Sequence, residues 1–159
     1  MPVPTHLAPF WSAFTASVAG VDEGRFYEAF SFGDSQAMAD ELADLVLRGV
    51  KRATTSALWT FEEHRKPLPE PGDLSLVTRG SGEPVCVIRT ASVEVLPFRS
   101  VTAEFAAAEG EGDGSLSFWQ AAHRDYFQRE CARGGREFSD DMPVVCEHFT
   151  VVYPRAAAG

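Results

Sequence analysis

The sequence predicts an α+β fold, specifically a small, mainly antiparallel β-barrel or curled sheet with flanking helices. The first part of the chain has helical periodicity and the middle has the alternation of strands. A long predicted helix then precedes a last strand rich in β-branched residues. These strands and helices do not alternate regularly, which disfavours a doubly wound parallel sheet. With 159 residues, 45% of them hydrophobic, the chain can bury one domain core.

The first part of the chain predicts two helices separated by an irregular stretch. Residues 6–19 carry large apolar side chains on one side of a helix. Residues 20–33 are rich in glycine and aromatic residues and are expected to be irregular. Asp34 or Ser35 is a suitable N-cap for a second helix. That helix is expected to end at Gly49, where a left-handed residue is favoured.

The middle of the chain changes its period from helix to strand. A short helix is predicted over residues 57–64 and is followed by a proline-rich break. Residues 74–78 and 85–95 then alternate in hydrophobicity and predict two strands. The turn between them, residues 79–82, contains two glycines.

The last part of the chain predicts two further helices and a closing strand. Residues 98–108 form a turn and a short helix, and residues 115–133 form the longest helix. Residues 144–153 are rich in β-branched side chains, which favour a strand.

One domain is expected to account for most of the chain. A helical extension packs on it over residues 1–34, the domain itself spans residues 35–153, and a flexible tail covers residues 154–159. The sequence has no apolar run long enough to span a membrane, and its N-terminus does not resemble a signal peptide. The three cysteines are an odd number without a CxxC pair. We therefore expect reduced thiols, no zinc site and a cytoplasmic location.

The charge of the chain restricts its partners. The formal net charge of -9 disfavours a protein that coats duplex DNA, because that binding needs a surplus of basic residues. Residues 48–66 are an exception, since five basic residues there accompany two acidic ones. Such a segment suits a phosphate or the edge of a nucleotide, although a solvated helix end with its loop has the same composition.

A lysine lies beside a cluster of hydroxyl groups in the sequence GVKRATTS, residues 49–56. A lysine that is partly removed from water can lose its proton near neutral pH and activate a threonine hydroxyl. The same hydroxyls can instead cap the next helix while Lys51 stays in water. Residues 51 and 54 face opposite sides of a regular strand, so they can meet only where the chain turns.

An acidic glycine loop over residues 109–114 is the second candidate site. Its carboxylates, Glu109, Glu111 and Asp113, alternate with glycines. An EF-hand would need a glutamate at the twelfth position of a loop that starts at Glu109, and that position holds Gln120. A divalent-ion site of another kind and an ordinary exposed loop are both open alternatives. One carboxylate acting as a general acid or base is a third.

Two residues outside these segments are further candidates. His123 lies four residues after Trp119 on the long predicted helix and can titrate near pH 7, but a histidine on a helix edge is more often packed or solvated. Glu147 alternates with apolar residues in the last strand. A carboxylate on a buried face needs a partner, which would be Lys51 or an arginine, unless Glu147 faces water.

Five motifs follow one another at specific spacings. They are Gly49-x-Lys51-x-x-Thr54, Pro69-x-x-Gly72-Asp73, Pro84–Ile88, Glu109–Asp113 with Trp119 and His123, and Glu147–Phe149. Together, over about residues 35–153, they resemble the ASCH domain family, and the chain is similar to its longer bacterial branch. The resemblance implies a PUA-like fold, which is a small β-barrel with flanking helices and a cleft suited to RNA or a nucleoside.

The resemblance also implies an activity. Some short ASCH proteins are amidohydrolases that remove the acyl group from N4-acetylcytidine with a lysine, a threonine and a glutamate. These match Lys51, Thr54 and Glu109 here, so Thr54 would be the nucleophile, Lys51 its base and Glu109 the acid for the leaving amine. Because Glu111 lies two residues further on, either glutamate can be that acid.

The sequence therefore predicts a small hydrolase of a modified nucleoside, most specifically one that cleaves the amide of N4-acylated cytidine without a cofactor or a metal. Substrate contacts are expected from Arg52, Thr55, Glu111, His123 and Glu147. A longer ASCH protein is a ribonuclease, so a ribonuclease acting on single-stranded RNA is an alternative. A non-catalytic RNA-binding module is another.

Overall fold

The computed structural model describes residues 2–155. Its helices are α1 (Ala8–Ser17), α2 (Gln36–Leu47), α3 (Leu58–Glu63), α4 (Ala103–Glu109) and α5 (Leu116–Arg133). Its strands are β1 (Phe26–Phe30), β2 (Ala53–Ala57), β3 (Leu74–Thr78), β4 (Pro84–Pro97) and β5 (Pro143–Tyr153). Most of the predicted tail, residues 156–159, lies outside the described residues. Across residues 2–155, none of the helices is both long enough and apolar enough for a membrane span.

The chain forms two compact units. The first consists of the residues up to Gly49, of Pro69–Ser92, and of the residues from Phe149 onward; the second consists of Val50–Leu68 and Val93–His148. Strands β4 and β5 therefore each contribute residues to both units.

The first unit packs α1 and α2 on strands. Trp11 and Phe14 of α1 belong to one apolar cluster with residues of β1 and β3. Leu42 and Val46 of α2 belong to another cluster, which residues of β3 and β4 complete. The Ser35 hydroxyl accepts a hydrogen bond from an amide of the first turn of α2, so one of the two predicted caps is confirmed.

In the second unit, β2, α4, α5 and the first part of β5 pack around one apolar core. The buried side chains of this core are Ala53, Ala57, Phe98, Val101, Phe105, Ala106, Trp119, Phe127, Val144 and Cys146. The Ser115 hydroxyl accepts a hydrogen bond from the Phe118 amide and caps α5. This core holds β2 close to the ends of α4 and α5, where the candidate site lies.

The strands form a five-stranded mixed sheet in the order β1-β3-β4-β5-β2. Strand β1 runs parallel to β3, whereas the pairs β3–β4 and β2–β5 are antiparallel. The predicted α+β class is confirmed. The barrel is not, because over the described residues the sheet is not closed.

Two strands lie where the sequence did not predict them. The expectation of irregular structure over residues 20–33 is wrong at β1, which pairs with β3 from a distant part of the chain. Strand β2 consists of small and hydroxyl-bearing residues and gives a weak local signal, but it pairs along its whole length with β5. Long-range pairing decides both cases, as it commonly does for strands.

Candidate active site

The site begins where the chain enters β2. The backbone amide of Arg52 donates a hydrogen bond of 2.7 Å to the carbonyl of Ala108, which holds the segment before β2 against the end of α4. Gly110 follows α4 with a φ of 67°, and a β-carbon there would lie 2.3 Å from the carbonyl oxygen of Val50. Glycine is required by both the backbone conformation and the close approach. Lys51 thereby enters the space beside the loop that follows α4.

The ammonium group of Lys51 is buried, since only 1% of this residue is exposed. Its Nζ lies 2.8 Å from the carbonyl oxygen of Ala53, 2.9 Å from Oε1 of Glu109 and 3.2 Å from Oε2 of Glu111. An ammonium has three protons to donate, and three acceptors surround this one. Partners of this kind are what a buried charge requires.

Glu109 is equally buried and is bonded through both of its carboxylate oxygens. Oε1 faces Lys51. Oε2 accepts hydrogen bonds from the Thr55 hydroxyl at 2.6 Å and from the indole N–H of Trp119. Nε2 of His123 lies 3.1 Å from the same oxygen. Glu109 is therefore held on all sides by donors.

The ring of His123 is oriented by its own helix. Nδ1 lies 2.9 Å from the carbonyl oxygen of Trp119, and because a carbonyl can only accept, Nδ1 carries a proton. The Trp119 and His123 rings stack with 4.3 Å between their centroids. Nε2 faces Glu109, and it lies 3.9 Å from Glu111. A second proton, on Nε2, makes the contact with Glu109 a charged hydrogen bond.

Glu111 is the more accessible carboxylate. Its side chain is 19% exposed, compared with 1% for Glu109. We call Lys51, Thr55, Glu109, Glu111 and His123 the buried ion cluster. Glu111 is the carboxylate through which this cluster reaches solvent.

The expected lowering of the Lys51 pKa is wrong. Burial acts to lower the pKa of Lys51, but the charges of Glu109 and Glu111 outweigh burial and raise this pKa above its ordinary value. Lys51 is therefore an ammonium at neutral pH. It cannot accept a proton from a threonine hydroxyl.

The two glutamates shift in opposite directions. Burial acts to raise the pKa of Glu109, but the charges of Lys51 and His123 and the Thr55 hydrogen bond hold this pKa well below its usual range. The pKa of Glu111 is raised by burial and by the charge of Glu109, against the opposing effect of Lys51. Glu109 therefore stays ionised, and Glu111 takes up a proton more readily.

The pKa of His123 is raised as well. Burial acts to lower this pKa, but Glu109 and Glu111 together raise it by more. The shift agrees with the geometry, because only an imidazolium can donate from both ring nitrogens.

Glu109, Glu111 and His123 are also the residues that can hold a metal ion, since their ligand atoms all lie within 4.8 Å of one another. The Lys51 ammonium already contacts both carboxylates and supplies positive charge there. Asp113, the third acidic residue of the loop, is not in this group. Its carboxylate accepts a 2.9 Å hydrogen bond from the Ser115 amide. The three alternating carboxylates therefore do not form one cluster.

Strand β2 turns its two adjacent threonines to opposite sides. The Thr55 hydroxyl bonds Glu109, whereas Thr54 lies directly across from Glu147 of β5. The structure thus brings together Thr55 and the other members of the buried ion cluster, and it places Thr54 and Glu147 in a separate cross-strand pair. The side chain of Arg52 is exposed.

Sequence reasoning missed two bonding partners in the site. One is the Trp119 indole, which the sequence indicated only as part of a motif with His123, and the other is the Ala53 carbonyl. The pattern Ala53-x-Thr55-x-Ala57 contains the signal for the threonine that bonds Glu109, since two alanines at alternate positions mark the buried face of the strand.

These features define a class of protein, namely an α+β domain in which a lysine just before a strand forms a buried ion pair with a glutamate at the end of a helix. The sequence matches the family model of the ASCH domain over residues 28–153. The chain belongs to the ASCH domain family, and the predicted resemblance is confirmed. No curated protein matches it.

Solved structures agree with this assignment. The chain is similar to an ASCH domain from Lactobacillus crispatus JV V101, with 37% identity, a TM-score of 0.87, and coverage of 96% of this chain and 98% of that one. A protein from Enterococcus faecalis V583 is 32% identical, with a TM-score of 0.79 and coverage of 91% and 86%. The ASCH protein of Zymomonas mobilis shares the fold at 13% identity, with a TM-score of 0.50 and coverage of 79% and 70%.

Proposed function

We propose that this protein is a hydrolase that cleaves the amide bond of N4-acylated cytidine or of a closely related modified nucleoside. The observation that carries the proposal is the unequal pair of glutamates in the buried ion cluster. Glu109 is saturated with donors, whereas Glu111 reaches solvent. Such a pair suits acid–base catalysis, because one carboxylate keeps its charge while the other exchanges a proton.

In this scheme Glu111 performs both proton transfers. Its carboxylate takes a proton from a water molecule as the water oxygen adds to the acyl carbon. The carboxylic acid so formed then gives its proton to the N4 nitrogen as the carbon–nitrogen bond breaks. The products are the free carboxylic acid and cytidine. The raised pKa of Glu111 suits a group that must accept and then donate a proton.

The remaining members of the cluster position Glu111. Lys51 bonds both glutamates, and Glu109 in turn fixes Thr55 and His123. The protonated Lys51 is not a base here. In this proposal water takes the place of Thr54 as the nucleophile, because alternation along β2 directs Thr54 away from the face on which Thr55 bonds Glu109.

A ribonuclease acting on single-stranded RNA is the second candidate, and the position of His123 favours it. An imidazolium beside Glu109 can protonate a departing 5′ oxygen while Glu111 takes the proton of the attacking 2′-hydroxyl. The association of the ASCH family with RNA binding also supports this reading. RNA binding without catalysis is the outcome if neither substrate is cleaved.

Turnover of N4-acetylcytidine, followed as cytidine released, tests the proposal. We expect Glu111→Gln to lower kcat by ~10²–10⁴-fold, the usual contribution of a general acid–base group. Asp113→Asn is the matched control, because it neutralises a carboxylate of the same loop that is bonded to Ser115 instead of Lys51. We expect this variant to keep wild-type kcat within about threefold.

A salt series separates the two candidates. Cleavage of single-stranded RNA should weaken steeply as salt rises, because a polyanion releases counterions on binding, whereas turnover of a neutral nucleoside should change little. Equal activity of Glu111→Gln and wild type on N4-acetylcytidine would remove the amidohydrolase mechanism. Salt-sensitive RNA cleavage without nucleoside turnover would establish the second candidate.

A further inference from the structure

A cavity of about 210 Å³ lies in the first unit, beside the C-terminal end of α1. Its large apolar lining residues all belong to the apolar cluster that α1 forms with β1 and β3. They are Phe14, Val18, Val21, Leu74 and Val152. An apolar cavity of ~150 Å³ accepts a molecule of the size of benzene. This cavity therefore has room for a branched aliphatic group.

Three charged side chains line the same cavity, namely Asp22, Arg25 and Arg89. The charge of Arg25 is already compensated. Its Nη2 lies 3.1 Å from Oδ1 of Asp73 and donates a 2.7 Å hydrogen bond to the carbonyl oxygen of Pro71. Arg25 therefore adds no uncompensated charge to the lining.

The motif Pro69-x-x-Gly72-Asp73 builds the partner of Arg25. Oδ2 of Asp73 accepts a 2.8 Å hydrogen bond from the Glu70 amide, and the Gly72 amide donates a 2.9 Å hydrogen bond to a carbonyl of β4. Gly72 has a φ of 96°, and a β-carbon there would lie 3.1 Å from Nη2 of Arg25. This turn is thus fixed to the sheet and holds the guanidinium of Arg25 against its backbone.

Arg89 is a charged residue on a face of the sheet that is otherwise apolar. It lies directly across from Leu74 in the β3–β4 ladder, and opposed residues project their side chains from the same face. Val87, two residues earlier in β4, is buried in the apolar cluster. The Arg89 side chain is exposed, and among the described residues its guanidinium has no ion-pair or hydrogen-bond partner.

Asp22 supplies the opposite charge. Its Oδ1 accepts a 3.0 Å hydrogen bond from the Gly24 amide, and no cation of the described residues forms an ion pair with it. The lining therefore presents one unpaired cation, Arg89, and one unpaired anion, Asp22, which do not pair with each other. A ligand with a single charge is attracted to one of these groups and repelled by the other, whereas a zwitterion matches both.

We propose that this cavity binds an aliphatic α-amino acid as its zwitterion. Arg89 holds the carboxylate, Asp22 holds the ammonium group, and the aliphatic side chain enters the apolar part of the cavity. A free amino acid has both charges on neighbouring atoms, whereas the end of a peptide has only one of them. This site shares no residue with the buried ion cluster, and the proposal does not depend on the proposed hydrolysis.

Titration of the isotope-labelled full chain with L-leucine, followed by NMR chemical shifts, tests the site. Two analogues with the same aliphatic group each lack one charge: 4-methylpentanoate lacks the ammonium group, and 3-methylbutylamine lacks the carboxylate. We expect each analogue to bind ~10- to 100-fold more weakly than L-leucine, which is the contribution of a hydrogen bond to a charged group.

Variants assign each contact. Arg89→Gln should weaken L-leucine binding by ~10- to 100-fold and leave the affinity for 3-methylbutylamine unchanged. Asp22→Asn keeps an oxygen that accepts the Gly24 hydrogen bond; it should weaken L-leucine binding and leave the affinity for 4-methylpentanoate unchanged. Arg48→Gln is the control, because Arg48 is another exposed arginine of the first unit and does not line the cavity. This variant should bind L-leucine as wild type does.

Three results would overturn the proposal. The first is wild-type protein whose shifts do not saturate with millimolar L-leucine. The second is 4-methylpentanoate or 3-methylbutylamine binding as tightly as L-leucine, and the third is Arg89→Gln binding L-leucine like the Arg48→Gln control. Urea unfolding shows whether each variant is folded, and the comparison of the three ligands on wild type decides the proposal if a variant is not.

Discussion

Replacing Lys51 with methionine removes the buried ammonium while keeping the length and the apolar stem of the side chain. In the variant, Glu109 remains fully buried but loses its partner at Oε1, and the Ala53 carbonyl loses a donor. We expect the free energy of unfolding to fall, because a buried carboxylate is left without its closest positive charge.

The magnitude follows from the partners that remain. Breaking a buried ion pair from one side costs ~3–5 kcal/mol. Glu109 keeps the donors Thr55, Trp119 and His123, and Glu111 is exposed enough to turn toward water. We therefore expect the lower end of that range, about 3 kcal/mol at pH 7.

Urea unfolding at several pH values measures this loss. In wild type, the lowered pKa of Glu109 stabilises the fold at pH values above ~4.3, the unfolded-state value, and this stabilisation is lost as pH falls below it. The variant lacks the ammonium that lowers the pKa, so its deficit should shrink as pH falls below ~4.3.

The chain has a matched control in Lys66, its other lysine. The Lys66 ammonium lies 5.3 Å from the centre of the Phe61 ring, a contact worth ~0.5–1 kcal/mol when exposed. Lys66→Met should therefore cost about 1 kcal/mol or less at every pH. A Lys51→Met variant as stable as Lys66→Met, or one whose deficit grows at low pH, would refute the reasoning about the buried pair.

Further substitutions test other parts of the site. Thr55→Val removes the hydroxyl that bonds the buried carboxylate and should cost ~1.5–3 kcal/mol of unfolding free energy, whereas Thr54→Val should cost less than about 1 kcal/mol; equal costs would contradict the strand orientation. Because the pKa of His123 is raised, its stabilising effect is complete below pH ~6.5 and is lost as pH rises through the folded-state pKa. The difference in unfolding free energy between wild type and His123→Gln should therefore decrease from pH 6 to pH 9. An increase would be inconsistent with an imidazolium. The β-carbon of Gly110→Ala would meet a backbone carbonyl, whereas that of Gly114→Ala would meet open space at a similarly positive φ. Chemical denaturation should therefore show a loss of unfolding free energy for Gly110→Ala that exceeds the loss for Gly114→Ala by more than about 1 kcal/mol.

The sequence was sufficient for those elements whose signals are local. Ser35 was one of two residues predicted to cap α2, the long helix was predicted within one residue of α5, and residues 74–78 were predicted as a strand with the bounds that β3 has. It was insufficient for β1 and for the sheet as a whole, because pairing between distant segments leaves little local trace. A barrel was expected from the order of the predicted elements and from the family resemblance, but the strand order depends on contacts that no short window contains.

In the candidate site, too, the sequence identified the residues but not the features that depend on their surroundings. Lys51, Glu109, Glu111 and His123 were all found as candidates, because their residue types and spacing stand out. The protonation state of Lys51 was misjudged, because the direction of its pKa shift depends on Glu109 and Glu111, which lie 58 and 60 residues further along the chain. The choice between adjacent threonines needed the face of β2, which the sequence contains only as a short alternation.

The sequence separation within the buried ion cluster has a consequence for folding kinetics. Lys51 and Glu109 are 58 residues apart and reach each other only when β2 and α4 have docked. Neither charge can leave water early without its partner, because desolvation of an unpaired ion is expensive. We therefore expect the pair to form after the folding transition state, with a φ-value near zero for Lys51→Met. The substitution should then accelerate unfolding and leave the folding rate almost unchanged, and a variant that instead folds slowly would contradict this order of events. On this account the buried ion cluster forms late in folding and slows unfolding. The rate of unfolding therefore depends on the same residues to which we assign the chemistry.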